Sequence, residues 1–142
     1  MRLALAEARD AAAVGEVPVG AVLVRDGEVL ARASNQTVAV QDATAHAEML
    51  VMRSASASLG AWRLSGCTIY VTLEPCAMCA GAMVLARVER LVFGALDPKA
   101  GFAGSLGDLV RDPRLNHTPE VTSGILGEGA SALLREFFKD RR

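Results

Sequence analysis

Residues 68–95 read TIYVTLEPCAMCAGAMVLARVERLVFGA, a stretch whose pattern changes twice and thereby sets the fold class. Thr68 to Thr72 reads as a short buried strand, Cys76 to Ala86 as a helix, and about Arg90 to Ala95 as a second strand. Outward toward the N-terminus, Ala45 to Ala57 predicts a helix that Asp42 or Thr44 can cap. Val19 to Val24 and Val29 to Ser34 predict a β-hairpin, because Arg25-Asp26-Gly27-Glu28 between them centres on Asp-Gly, which favours a tight turn. Met1, Leu5, Ala8 and Ala12 recur at helical spacing until Gly15 stops them, which predicts an opening helix of about 14 residues. Toward the C-terminus come a glycine-rich loop, Gly101 to Gly107, read as functional rather than as a boundary, then a weak strand near Glu120 to Thr122 and a final helix from about Gly127. Helices alternating with strands in this way predict an α/β sandwich.

The chain has 142 residues, 51% of them hydrophobic, and a formal net charge of -1. That length predicts a single domain, 1–142, burying about two thirds of its unfolded surface. The longest nearly apolar run, Val17 to Val24, falls far short of the roughly 20 residues of a membrane span, and Glu7, Arg9 and Asp10 interrupt the apolar core a signal peptide would need. These features predict a soluble, cytoplasmic protein without a membrane partner. The near-neutral charge gives no global electrostatic case for nucleic acid, so any RNA contact is expected to be local. Arg111, Arg114 and His117, with Arg141 and Arg142, are the candidate basic patches, and each could equally be a solvated face.

Three cysteines without a secretion signal do not suggest a disulfide framework. Cys76 and Cys79 form a C-x-x-C pair, which in the cytosol means metal or redox chemistry, while Cys67 reads as a small buried hydrophobe. Thr44-Ala45-His46-Ala47-Glu48 lies upstream, and each half of this constellation falls at a predicted helix N-terminus. There the thiolate form of cysteine is favoured, and sulfurs three residues apart point the same way. A redox role lacks its thioredoxin-like pattern, and three cysteines cannot make a four-cysteine structural site. One imidazole with two thiolates leaves a zinc position open for water, whose pKa would fall toward neutrality so that Glu48 can take the proton. Residues i and i+2 face apart on a regular helix, so His46 and Glu48 converge only if His46 sits in the entry turn. The resulting chemistry is hydrolytic deamination of a nucleobase amidine, with Glu48 as base and then acid. The H-x-E and P-C-x-x-C pattern is the zinc nucleobase deaminase signature.

Across nearly its whole length the chain resembles the bacterial tRNA-specific adenosine deaminase family, whose members convert the wobble adenosine of an arginine tRNA anticodon to inosine. The matching blocks are Glu16-Val17-Pro18-Val19-Gly20-Ala21-Val22, Thr44 to Glu48, Tyr70-Val71-Thr72-Leu73-Glu74-Pro75-Cys76, Ala80-Gly81-Ala82-Met83, Gly104-Ser105-Leu106, Asn116-His117 and Phe137-Phe138. The resemblance implies a three-layer α/β/α sandwich with a mixed five-stranded sheet, like cytidine deaminase, one zinc ion per subunit, and a homodimer binding a tRNA anticodon stem-loop near the subunit boundary. It also implies substrate contacts from Asn35, from Glu16, Val17 and Pro18 around the base, and from Ala47 and Pro75 within the metal motif. Asp97, Pro98 and Lys99 would meet the flanking nucleotides, Phe137 or Phe138 an unstacked base, and Arg141 and Arg142 phosphates. Residue by residue the bland alternatives are a turn at Asn35, a helix-to-strand connection at 16–18, an Asp-Pro turn at 97–98, core packing for the phenylalanines and helix-dipole complements for the arginines. The sequence departs from many relatives at Ala43 and Ala100 and in ending at Arg142 without a longer basic tail. A deaminase of a free base such as guanine or cytosine would share the metal motif, and a structural-zinc RNA-binding module would keep the metal without needing Glu48.

Overall fold

A computed structural model describes residues 1–139 and 141. The chain order is α1 (Arg2–Ala13), β1 (Gly20–Arg25), β2 (Glu28–Ser34), α2 (Ala47–Leu59), β3 (Cys67–Leu73), α3 (Ala77–Leu85), β4 (Arg90–Ala95), β5 (Glu120–Thr122) and α4 (Gly127–Lys139). The strands form one five-stranded sheet in the order β2-β1-β3-β4-β5. β1 runs antiparallel to both β2 and β3, whereas β3, β4 and β5 are mutually parallel. The sheet is therefore mixed, as the resemblance implied.

The hairpin forms where expected: Asp26 and Gly27 both take positive φ, 51° and 76°, the left-handed pair that a tight two-residue β-turn requires. Alternation along the strands assigns the two faces. Ala21 and Leu23 of β1, Cys67, Ile69 and Val71 of β3 and Leu91 and Phe93 of β4 enter the main core together with Val51, Met52 and Ala55 of α2 and Cys79, Ala80 and Met83 of α3. On the opposite face α1 and α4 contact each other, with Leu5, Ala95 and Ala130 at the centre of a smaller cluster. Helices cover both faces of the sheet, so the architecture is a three-layer α/β/α sandwich.

Three expectations shift in detail. α1 buries Ala4, Leu5, Ala8 and Ala11, a stripe rotated from the expected one, which leaves Met1 and Ala12 only half-buried. α2 begins at Ala47 and not at Ala45, and neither Asp42 nor Thr44 caps it, because Asp42 Oδ1 accepts the Thr44 backbone N–H at 2.8 Å and its hydroxyl at 2.7 Å in a turn of their own. α3 begins at Ala77, leaving Cys76 at the N-cap. The cysteine expectation holds, since Cys67 is a free, fully buried residue at the start of β3.

α1 lies directly on β1 at Gly20, where a Cβ would stand 2.0 Å from the Ala4 carbonyl oxygen and 2.7 Å from the Ala8 nitrogen. Both obstacles are helix backbone, which cannot swing aside. Gly20→Ala should therefore destabilise the protein by about 3 kcal/mol, lowering its melting temperature by roughly 10 °C. Gly129→Ala is the control: its Cβ would find only Leu5 Cδ1 at 3.8 Å. That substitution is expected to leave the melting temperature unchanged or raise it, through better helix propensity.

Candidate active site

Two helix starts meet at the carboxyl end of β3. His46, the N-cap of α2, has φ -78° and ψ 149°, and Cys76, the N-cap of α3, has φ -73° and ψ 176°. Both residues are extended, so their side chains turn inward ahead of the helices rather than along them. His46 thus occupies the entry turn that convergence with Glu48 demands. His46 Nδ1 lies 3.6 Å from each sulfur, Cys76 Sγ and Cys79 Sγ. The ligand atoms of the three residues all lie within 4.8 Å of one another. One imidazole nitrogen and two sulfurs are a borderline-soft donor set that suits zinc, and three protein ligands leave a fourth position for substrate or water. The residues present fit the metal.

The electrostatics of the cluster favour cation binding. A hydrogen bond from the Cys79 thiol, with the His46 ring adding to it against the cost of burial, draws Cys76 down to about 4. The same Cys76 contact pushes Cys79 up, as does burial, and raises His46. One sulfur is thus a ready anion, and a metal would displace the remaining protons as it binds. Glu48 is only 4% exposed in the first turn of α2. Burial pushes its carboxyl up to about 7, although its own backbone N–H, the charge on His46 and the Cys79 contact all act the other way. A carboxyl poised near neutrality suits transfer of protons in both directions.

The surrounding residues divide by what their side chains already do. Glu16 is buried, and its carboxylate accepts the backbone N–H of Ala39 at 2.6 Å and of Val38 at 3.2 Å and the Thr37 hydroxyl at 3.5 Å. It holds the loop that leads into His46, a role the sequence did not signal. Pro18, Ala47 and Pro75 are buried and Val17 is half-buried against the main core. Asn35 is buried just after β2: its N–H donates to Val19 O, while the next residue's N–H donates to the carbonyl of Ala45, the residue before His46. None of the hydrogen bonds among the described residues uses the Asn35 side-chain amide.

Asp97 Oδ1 accepts the backbone N–H groups of Lys99 and Ala100, at 3.1 and 3.2 Å, in the turn its Asp-Pro sequence suggests. Pro98 and Lys99 are exposed on it. At the other end of the chain Phe137 is buried and Phe138 is 45% exposed, with ring centroids 5.2 Å apart in a T-shaped pair. This is the division a wide helical stripe predicts. Arg141 folds back, its guanidinium 3.7 Å from the Phe137 ring centroid and donating to the Phe137 carbonyl, and Arg142 lies outside the described residues.

The other candidate basic patch dissolves into local pairs. Arg111 bridges Asp108 and Arg114 bridges Asp112, while His117 Nε2 meets the Val88 carbonyl at 2.6 Å. A groove of about 730 Å3 between β4 and the start of α4 does not include the metal residues.

The residue that sequence reading left without a role is Glu74. It is 2% exposed at the end of β3, and its carboxylate takes hydrogen bonds from the loop after β4. Burial alone would raise its pKa, but the hydroxyl of Ser105 and the N–H groups of Asp97, Ser105 and Ala103 hold it below the ordinary carboxylate value. A carboxylate directly after an apolar strand was the available signal.

The model of the MafB19-like deaminases matches residues 1–142. The chain belongs to the MafB19-like deaminase family. Among its relatives, the tRNA-specific adenosine deaminase of Bacillus subtilis is 54% identical over 142 residues, covering 100% of this chain and 88% of that protein. A structure from studies of A-to-I editing by tRNA:A34 deaminases at the wobble position of transfer RNA superposes with a TM-score of 0.91 at 49% identity, covering 94% of this chain and 97% of that one. The guanine deaminase of Nitrosomonas europaea keeps the fold, with a TM-score of 0.81, but at 26% identity over 94% of this chain and 80% of its own. Identity to the Bacillus subtilis tRNA-specific adenosine deaminase is thus about twice that to the guanine deaminase.

This MafB19-like deaminase should keep about one equivalent of zinc through dialysis. Cys79→Ala, which removes a buried donor, is expected to weaken zinc retention at least ~100-fold, as metal analysis after competition with a chelator would measure.

Proposed function

We propose that this chain hydrolytically deaminates adenosine to inosine at the wobble position of a tRNA anticodon, that of an arginine tRNA by resemblance. The observation that carries this reading is the convergence of His46, Cys76 and Cys79 beside buried Glu48 in a chain 54% identical to a tRNA-specific adenosine deaminase. The 142 residues act as one deaminase domain, with one zinc ion per chain held by His46, Cys76 and Cys79. Bound there, zinc supplies a Lewis acid that brings the pKa of a coordinated water toward neutrality.

The remaining work falls to the protein. Glu48 takes a proton as water adds to C6 of the adenine and delivers it to N1. A second transfer through the same carboxyl protonates the exocyclic nitrogen, which leaves as ammonia when the C6 carbonyl forms. Because one group must accept and then donate, a carboxyl near neutrality is better than one at its ordinary value. The uncommitted Asn35 amide, able to donate and accept, hydrogen-bonds the base, and Val17, Pro18, Ala47 and Pro75 wall its pocket. Glu16 supports that wall by fixing the 37–39 loop. Asp97, Pro98 and Lys99 meet the flanking nucleotides, exposed Phe138 offers a stacking surface for an unstacked base, and phosphate contacts are assigned to Arg141 and Arg142 by the resemblance alone. The active form is a homodimer with the anticodon loop near the subunit boundary. Among the described residues no helix is long and apolar enough to cross a membrane, and action on tRNA implies work in the cytoplasm.

The direct test is an anticodon stem-loop carrying a wobble adenosine, incubated with zinc-loaded protein and analysed for inosine. Persistent adenosine would overturn the assignment, and ammonia release from free guanine but not from RNA would favour a free-base deaminase. Glu48→Ala is expected to retain zinc and to lower turnover at least ~1,000-fold, in the range of a lost general acid–base. Undiminished activity would mean a different proton shuttle.

A further inference from the structure

The loop joining β4 to the segment before β5 is fastened to the metal motif through Glu74. Glu74 Oε1 accepts the Asp97 N–H at 2.9 Å and the Ser105 hydroxyl, and Oε2 accepts the N–H groups of Ala103 and Ser105, each at 3.0 Å. A carboxylate has about four lone-pair sites and no donor, so these hydrogen bonds fill it. No ion pair among the described residues involves Glu74. The buried charge is balanced wholly by loop donors, from both ends of the 97–105 segment.

Two further contacts seat the same loop on the ligand. Gly101 bridges Cys76 in an antiparallel pair, and the Phe102 N–H donates to the Pro75 carbonyl at 2.8 Å. Gly101 passes so close that a Cβ would lie 2.3 Å from Glu74 Cδ and 2.6 Å from the Asp97 carbonyl oxygen. Gly101 is thus explained by an approach only glycine permits.

We propose that Glu74 is a positioning residue for substrate: its saturated buried carboxylate sets the path of residues 97–105 against Cys76 and so fixes Asp97, Pro98 and Lys99 where the nucleotides flanking the target are met. This rests on the assignment of those three residues to RNA contact made above. No hydrogen bond among the described residues joins the Glu74 carboxylate to His46, Cys76 or Cys79. A glutamine at this position has the same shape but only one oxygen. Its amide group would turn donors toward donors, and the loop would leave its seat.

The test uses the full zinc-loaded chain and the anticodon stem-loop. Glu74→Gln is expected to raise KM for the stem-loop about 10-fold while kcat stays within about threefold, the signature of lost binding rather than lost chemistry. Zinc content and the shape of the pH–rate profile should be unchanged. Unchanged KM, or a fall in kcat at constant KM, would overturn the proposal. So would loss of zinc, which would make Glu74 a support of the metal motif instead.

Ser105→Ala, which removes the hydroxyl donor alone, should raise KM about threefold and covers the case in which Glu74→Gln does not fold. No change in KM in that variant would also overturn the proposal. Hydrogen exchange supplies a readout independent of turnover: the amides of Asp97, Ala103 and Ser105 should lose protection in either variant while those of β3 keep theirs. If the wild-type protein forms no inosine, the RNA assignment falls, and retained protection at those amides would dispose of the clamp as well.

Discussion

The fold turns on how the chain enters two helices. His46 and Cys76 are both extended residues standing just ahead of a helix, and the side chain of a residue in that position projects across the helix end instead of along its flank. With both helices packed on one face of the sheet, the two entry turns are brought together and the second turn of neither is needed. Cys79 reaches the same point from inside α3 because it is one turn on from the cap. Helix N-termini also carry partial positive charge, which steadies the anionic sulfur before any metal arrives. The parallel pairing of β3 with β4 then fixes everything downstream, since Leu73 opposite Ala95 places the loop after β4 beside the residues that follow β3.

The core that supports this arrangement is uneven. The face carrying α2 and α3 is filled by most of the fully buried residues, whereas the α1 and α4 face depends on small residues and close backbone approach, as at Gly20. The metal residues are built into the well-filled side, so their positions inherit its rigidity. Pro98, Lys99 and Phe138, proposed above to meet RNA, instead stand exposed on a loop and on the last helix.

Local signals made most of the fold legible. The Asp-Gly hairpin, the β4 strand, the short β5 and the start of α4 fall where turn chemistry and periodicity place them, because each depends on residues close in sequence. The start of α2 moved because Asp42 and Thr44 satisfy each other, a competition among short polar side chains that a capping rule alone does not resolve. The metal cluster was readable because spacing, donor type and helix ends agreed. Glu16, Glu74 and Asn35 were harder: all three are polar residues near strand or helix ends, and only three-dimensional packing separates the two carboxylates filled by loop amides from the amide left open. Arg141 was indistinguishable from a free cation in sequence because its partners are the aromatic ring and carbonyl of Phe137 on the preceding helix.

The loop fastening at Glu74 addresses main-chain N–H groups, apart from the Ser105 hydroxyl. Such a fastening is blind to what side chains the loop displays, provided Gly101 stays small. Positions 98–100 can therefore diverge in charge, size and polarity among descendants of this scaffold with the chain path preserved. New substrate preferences would then arise by exchanging displayed groups on a fixed mount, with little risk to the metal site a few residues away.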